Sequence, residues 1–318
     1  MDDANAPADA AALRFIEAVE VWIPSPDGDK LILASADYGR LTAFGDASRN
    51  VSFARGEGLP GRAWAEARPV LINPLAGSGF VRIEAAAEAG LTCALAVPFF
   101  AGQALKGVAV LLCAEDEARS GAVEIWAEDK AAPGVLALSD GYYGAAKAFE
   151  AVSRAARFAR GKGLPGGAWA AQAAMLLRDL GGSFRFVRAE AAGEAGLTTG
   201  LGIPLELPGG ETLALALLSA KSAPIAGRFE IWDAAGGSGK DGRDMILVDG
   251  VCDRRGPLWG QPRRAAPWQG PIGRVAATGA PVAVGGPEAA GLPAGWASCV
   301  ALPIHRKGRL AQVAAWYF

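Results

Sequence analysis

The chain carries GEGLPGRAWAE at residues 56–66 and repeats it as GKGLPGGAWAA at 161–171. It also carries FVRIEAAAEAGLTCALAVPF at 80–99 and repeats it as FVRAEAAGEAGLTTGLGIPL at 186–205. A weaker third copy is GPIGRVAATGAPVAV at 270–284. The first two copies are 105 or 106 residues apart. That period is too long for a solenoid repeat and has the size of a small domain, so the repeats predict tandem domains.

The repeats divide the chain into three units. We expect a short N-terminal segment at 1–17, followed by units at 18–121, 122–227 and 228–318. Units of this length can each bury a hydrophobic core. Together they fill the 318 residues, so no domain of another kind is expected.

The first unit shows a mixed pattern of strands and helices. VEVWI at 19–23 and KLILASADYG at 30–39 flank a turn rich in proline, aspartate and glycine, which is typical of a β-hairpin. A helix is expected from Gly58, because Pro60 suits a first helical turn. A second helix is expected at 80–89, followed by two apolar strands. This order predicts an α+β fold, with a mainly antiparallel sheet of about five strands and helices on one face.

Charge and cysteine content exclude several classes of protein. The 31 basic and 33 acidic residues nearly balance, so neither nucleic acid nor a membrane surface is an expected partner. No apolar run approaches the roughly 20 residues that a membrane-spanning helix needs. The four cysteines form no CxxC pair, and no secretory leader precedes them. These features predict a reducing, cytoplasmic location.

Five phrases, in this order, resemble the GAF family of small-molecule sensor domains: GEGLPGRAW, RPVLI, FVR with AEAGL, ALAVPF and GVAVLL. The resemblance covers nearly all of the first two units. In the third unit it covers only the central helix and the final strands, and PEAAGLPAGW replaces the FVR helix. The resemblance implies a ligand pocket between the sheet and the second helix. We expect the pocket of the degenerate third unit to be shrunken or absent.

The joins between units are short. GAF sensors usually carry long terminal helices that transmit signals, but here only CAEDEARSGA at 113–122 and SAKSAPIAGR at 219–228 connect consecutive units. The terminal signalling helices are therefore expected to be lacking. Each sheet would then expose a larger apolar face than a monomer tolerates. We expect neighbouring units or a homodimer partner to cover these faces.

The resemblance also implies a set of pocket residues in the first two units. An arginine beside a phenylalanine suits a carboxylate, a phosphate or a planar ring. The alternative is that the arginine anchors its helix to the sheet, or to an acidic neighbour such as Glu84 or Glu190. Each pocket tryptophan has the alternative of a core role. The candidate ligand-binding residues are Trp64, Asn73, Phe80, Arg82 and Cys93, with their counterparts Trp169, Asp179, Phe186, Arg188 and Thr199.

Neither a catalytic site nor a metal site is expected. His305 is the only histidine, and we expect it to be exposed in the turn HRKGR. A haem or zinc site built from several histidines is therefore excluded. Cys93 is expected to be a buried structural cysteine.

We therefore predict a non-catalytic cytoplasmic sensor that binds an unidentified small molecule in its first two units. It would act through protein contacts, as a homodimer or with a signalling protein. The sequence names no cofactor. One alternative is a scaffold with closed pockets, because helices rich in alanine and glycine permit compact packing. A second alternative is a redox enzyme that uses Cys93.

Overall fold

The computed structural model describes residues 13–234, 244–258, 260, 263–289 and 291–318. The chain forms three successive units, each built on one sheet. Unit one contains β1 (Ala18–Pro24), β2 (Lys30–Asp37), α1 (Thr42–Arg49), β3 (Ser52–Ala54), α2 (Gly58–Glu66), β4 (Val70–Ile72), α3 (Ile83–Glu88), β5 (Leu91–Ala101) and β6 (Ala104–Ala114).

Unit two follows the same order. The described residues of unit three have no counterpart of α1, contain one additional short strand, and form a short 3₁₀ helix in place of α3. Unit two contains β7 (Ser120–Glu128), β8 (Val135–Gly144), α4 (Lys147–Ala155), β9 (Arg157–Ala159), α5 (Gly163–Ala171), β10 (Met175–Arg178), α6 (Ala189–Glu194), β11 (Leu197–Glu206) and β12 (Thr212–Ala220). Unit three contains β13 (Arg228–Ala234), β14 (Met245–Cys252), β15 (Gly256–Pro257), β16 (Arg264–Ala265), α7 (Gly270–Thr278), β17 (Val282–Gly285), the 3₁₀ helix (Gly286–Ala289), β18 (Ser298–Arg306) and β19 (Arg309–Tyr317).

All three sheets have the same antiparallel topology. In unit one the strand order is β3-β2-β1-β6-β5-β4, and the other units repeat it, with β16 pairing to β14 beside the third sheet. The predicted α+β class is confirmed. The sheets have six, six and seven strands rather than about five. The extra strands are two or three residues long, which is too short to show an apolar pattern.

Two features of the helices differ from the sequence-based expectation. Helix α1 precedes the two helices that the sequence predicts, and only one stripe of it faces the core, through Phe44 and Ser48. Helix α3 begins at Ile83 rather than at Phe80, and Phe80 packs from the preceding turn. None of the described helices is both long and apolar enough to cross a membrane.

The two faces of each sheet have different neighbours. One face packs against the unit's own helices and forms a separate core in each unit. The opposite faces of all three sheets pack together in one central apolar core. This core includes Val97 and Leu111 of unit one, Ile203 and Leu217 of unit two, and Leu302 and Trp316 of unit three.

Polar contacts also join the units around this core. The side chain of Arg178 in unit two pairs with Asp249 in unit three. Ser35 Oγ in unit one accepts a hydrogen bond of 3.2 Å from the backbone N–H of Ala283 in unit three. Tyr142 Oη in unit two donates a 3.1 Å hydrogen bond to the carbonyl of Ala114. Neighbouring units therefore cover the faces that short joins leave without terminal helices, and no homodimer partner is needed for that purpose.

Candidate functional site

The first strand of each unit carries a glutamate two residues before a tryptophan: Glu20 and Trp22, Glu124 and Trp126, Glu230 and Trp232. Residues two apart on a strand point to the same face, so each pair faces the helices of its unit. Each indole Nε1 donates to its glutamate, over 3.0, 3.0 and 2.9 Å. All three glutamates are fully buried. A buried carboxylate needs a compensating positive charge, so each unit must supply one.

In unit one that charge is Arg82, which directly precedes α3. Its Nη2 donates to Glu20 Oε2 over 2.9 Å, and its Nη1 donates to Glu20 Oε1 and to Ser48 Oγ. The two-pronged geometry is the strongest form of arginine–carboxylate pair. Tyr38 Oη donates to Glu20 Oε1 over 3.1 Å. Burial, and then the charge of Glu20, raise the pKa of Tyr38, so this hydroxyl remains a donor.

Aromatic rings enclose the Arg82 guanidinium. Its central carbon lies 4.8 Å from the ring centre of Phe44, 5.3 Å from that of Phe80 and 5.5 Å from that of Trp22. A cation over the face of an aromatic ring is attracted to it, more strongly when water is excluded. Arg82 is only 6% exposed. The guanidinium and its rings therefore fill the space where the family resemblance implies a ligand.

Unit two repeats this cluster residue by residue. The two Nη atoms of Arg188 donate to Glu124, and Nη1 also donates to Ser153 Oγ. Tyr143 Oη donates to Glu124 Oε1 over 3.1 Å. Burial, and then Glu124, raise the pKa of Tyr143. The guanidinium carbon lies 4.6 Å from the ring centre of Phe149 and 5.2 Å from that of Phe186. The helix-anchoring alternative thus describes both arginines, but the partner is a strand glutamate rather than Glu84 or Glu190.

The candidate tryptophans and the residues after β4 and β10 lie elsewhere in their units. Trp64 packs at the edge of the unit-one core, and Trp169 is 8% exposed with Arg160 stacked 5.4 Å from its ring centre. Asn73 follows β4, where a cis peptide bond joins it to Pro74. Asp179 follows β10 with a left-handed backbone, φ 52°, and its carboxylate turns towards Gly182.

Cys93 and Thr199 lie on the other side of their sheets. Cys93 belongs to the central core, whereas Ala94, the next residue, faces the helices. Thr199 holds the equivalent strand position, and its neighbour Gly200 faces Leu164 of α5. Consecutive residues of a strand point to opposite faces. Cys93 and Thr199 therefore cannot line the same pocket as Arg82 and Arg188.

Unit three satisfies its buried glutamate in another way. In the described part of unit three, no arginine directly precedes the 3₁₀ helix that replaces α3. Arg228, on the same strand as Glu230, instead donates from Nε to Glu230 Oε1 over 2.8 Å. Tyr317 Oη donates to Glu230 Oε2 over 2.7 Å. Arg263 Nη1 lies 3.6 Å from Glu230 Oε1, with 44% of its side chain exposed. The charge requirement is the same as in the other units, but the residues that meet it differ.

A cavity of about 150 Å³ lies beside Glu230. Trp232, Arg263, Ile272 and Leu292 line it, near the beginning of α7. Unit three thus has a small cavity beside its buried glutamate, so the pocket is reduced rather than absent. Its volume is below the roughly 300–1,000 Å³ of typical small-molecule sites.

The remaining chemical groups are also buried. His305 lies on β18 and is 7% exposed, so the expectation of an exposed turn histidine is wrong; the strand continues one residue beyond it. The thiols of Cys93, Cys113 and Cys299 are buried, and burial raises the pKa of each. A thiol held protonated is a weak nucleophile. Among the described residues, no group of three or more metal-ligating side chains is placed to hold a metal ion.

Comparison with known proteins identifies the fold of the first unit. The model of the GAF domain family matches residues 9–128. Among solved structures, the chain is similar to the GAF domain of A. aeolicus nlh2 in an inactive state, at 23% identity and a TM-score of 0.26, over 32% of this chain and 59% of that one. Comparison with curated proteins gave no match. GAF domains are sensory and regulatory domains. The match identifies a GAF domain at residues 9–128, and unit two repeats the sequence of that domain.

Proposed function

We propose that this protein is a non-catalytic regulatory scaffold of the GAF family, in which units one and two are closed and act through their outer surfaces. The observation that carries the proposal is the pair of buried clusters around Arg82 and Arg188. Each guanidinium is already bound to a carboxylate and a hydroxyl and is enclosed by aromatic rings. A ligand could contact the guanidinium only by displacing these groups.

The sensor function predicted from sequence is the competing candidate. It requires a small molecule to enter units one and two and to contact Arg82 and Arg188. A ligand there would have to displace each arginine from a fully buried glutamate, and an unpaired buried carboxylate is strongly destabilising. This cost favours the scaffold.

Exposed apolar side chains near the helices of unit two support a role in protein contacts. Phe184 is 94% exposed and Val187 is 67% exposed. Both precede α6, and Val81 holds the position equivalent to Val187 in unit one, with 54% exposure. Large exposed apolar side chains that lie together are typical of interaction surfaces. A catalytic role has less support, because all four cysteines are buried.

The test follows the indole N–H signals of Trp22 and Trp126 by NMR, assigned with the variants Trp22→Phe and Trp126→Phe. Both groups donate to the glutamates that hold the arginines, so a ligand entering either cluster must shift them. We expect no saturable shift when a set of metabolites and nucleotides is added. A saturable shift of either signal would overturn the closed-scaffold proposal in favour of the sensor.

A further inference from the structure

A second cavity lies between unit one and unit three, away from the buried glutamates and tryptophans of the first strands. Its volume is about 260 Å³. Unit one contributes Lys106 on β6, and unit three contributes the end of α7 at Gly279 together with His305 and Arg309 of the β18–β19 hairpin. The cavity therefore exists only because the two units are packed together.

The ionisable side chains that line this cavity are basic, and they have no partner among the described residues. Neither Lys106 nor Arg309 takes part in an ion pair with any residue in the described part of the chain. His305 is 7% exposed, and its ring nitrogens have no hydrogen-bond partner among the described residues. No acidic side chain of the described residues lines the cavity. The ring nitrogens of His305 are not sealed from solvent, so they can bind a molecule in the cavity.

The backbone around His305 leaves room for its ring. Gly279 ends α7 with φ 70°, and a Cβ at this position would lie 3.2 Å from His305 Nε2. The carbonyl end of α7 contributes a partial negative charge of roughly half an elementary charge. The full positive charges of Lys106 and Arg309 outweigh it, so the cavity favours an anion.

We propose that this cavity binds a small anion that carries a phosphate group, held by Lys106 and Arg309 and by a hydrogen bond from His305. The two unpaired cations match the double negative charge of a phosphomonoester. A monocarboxylate would leave one cation without compensation. Since the cations belong to different units, the bound anion would strengthen the contact between units one and three.

His305 contributes a hydrogen bond rather than a charge at neutral pH. Burial, and then the charge of Lys106, lower the pKa of His305 to about 4. Glu206 of β11 lines a smaller cavity that His305 also lines. The neutral ring keeps one N–H donor, which suffices for one phosphate oxygen.

The single histidine makes the test direct, because a labelled imidazole gives one set of NMR signals. Inorganic phosphate is titrated into the protein at constant ionic strength, balanced with chloride, and acetate is titrated in parallel. The variants are Lys106→Gln with Arg309→Gln, and Lys106→Gln alone. Arg306→Gln is the matched control, because Arg306 is an exposed residue of the same hairpin that does not line the cavity.

We expect phosphate to shift the His305 signal saturably in the native protein and in the control. The double variant should bind at least about tenfold more weakly, because two charge-assisted contacts are lost. No shift in the native protein, an unchanged shift in the double variant, or equal binding of acetate would overturn the proposal. The His305 signal is independent of the Trp22 and Trp126 signals, so this result and that for the closed scaffold can be separated.

Discussion

Replacing Arg82 with methionine should destabilise the protein by about 3–5 kcal/mol, the usual cost of removing one partner of a buried ion pair. The structure indicates a cost for Arg82→Met near the upper end of this range. Glu20 is fully buried, and the variant would lose both guanidinium bonds to it and a third to Ser48. Methionine fills much of the same volume, so the loss measures the uncompensated carboxylate rather than a cavity.

A double-mutant cycle of Arg82→Met and Glu20→Gln separates the effect of charge from the effect of packing. In Glu20→Gln with Arg82→Met, both charges are removed, while the glutamine oxygen still accepts a bond from Trp22 or Tyr38. We expect the double variant to be more stable than Arg82→Met alone, because replacing both members of a buried pair costs far less than removing one. The free energy of unfolding is measured by urea denaturation, with an unchanged slope as evidence that the native fold is retained.

Arg188→Met and its partner variant Glu124→Gln provide an independent repeat of the measurement. Unit two has the same contacts, so its variants should lower the free energy of unfolding by the same amount as those of unit one, to within about 1 kcal/mol. A loss below about 1 kcal/mol for either arginine, or no recovery in the double variants, would refute the structural role. In that case ligand binding would again be the better account of the repeated arginines.

Two further predictions concern the cores. The thiols of Cys93, Cys113 and Cys299 should not react with Ellman's reagent in the native protein at pH 8, because burial raises the pKa of each, and they should react fully in urea. Leu217→Ala, in the central core, should cost about 2–5 kcal/mol and leave a single unfolding transition by calorimetry, because all three sheets pack against that core. Three separate transitions would contradict this.

Much of the fold is predictable from the repeats. They indicate three similar units, and the short joins at 113–122 and 219–228 correctly imply that neighbouring units cover the sheets. The edge strands and helix α1 are not predictable in the same way, because two or three residues carry no periodic pattern. Helix α1 has only one buried stripe, and its composition is that of an exposed loop.

The candidate site shows a different limit. The repeated arginines were visible in the sequence, but their partner, Glu20, lies 62 residues away. The Glu-X-Trp pattern at the start of each unit was the available signal, since a carboxylate at a core-facing strand position needs a cation. The face of the sheet on which Cys93 lies is hard to predict for a simpler reason. A bulge interrupts the pairing of β5 between Leu91 and Cys93, so the alternation of faces cannot be counted from the end of the strand.

The three glutamates explain why a repeated arginine is weak evidence for a ligand in this chain. Units one and two neutralise the buried carboxylate from the turn before α3 or α6, whereas unit three does so with Arg228, two residues before the glutamate on the same strand. The element that supplies the cation changes, but the buried carboxylate remains neutralised. An arginine that recognises a ligand must lie at a fixed position beside the pocket. An arginine that neutralises the glutamate can come from any position from which it contacts the carboxylate. Arg82 and Arg188 meet the second condition, and in unit three Arg228 meets it from a different element.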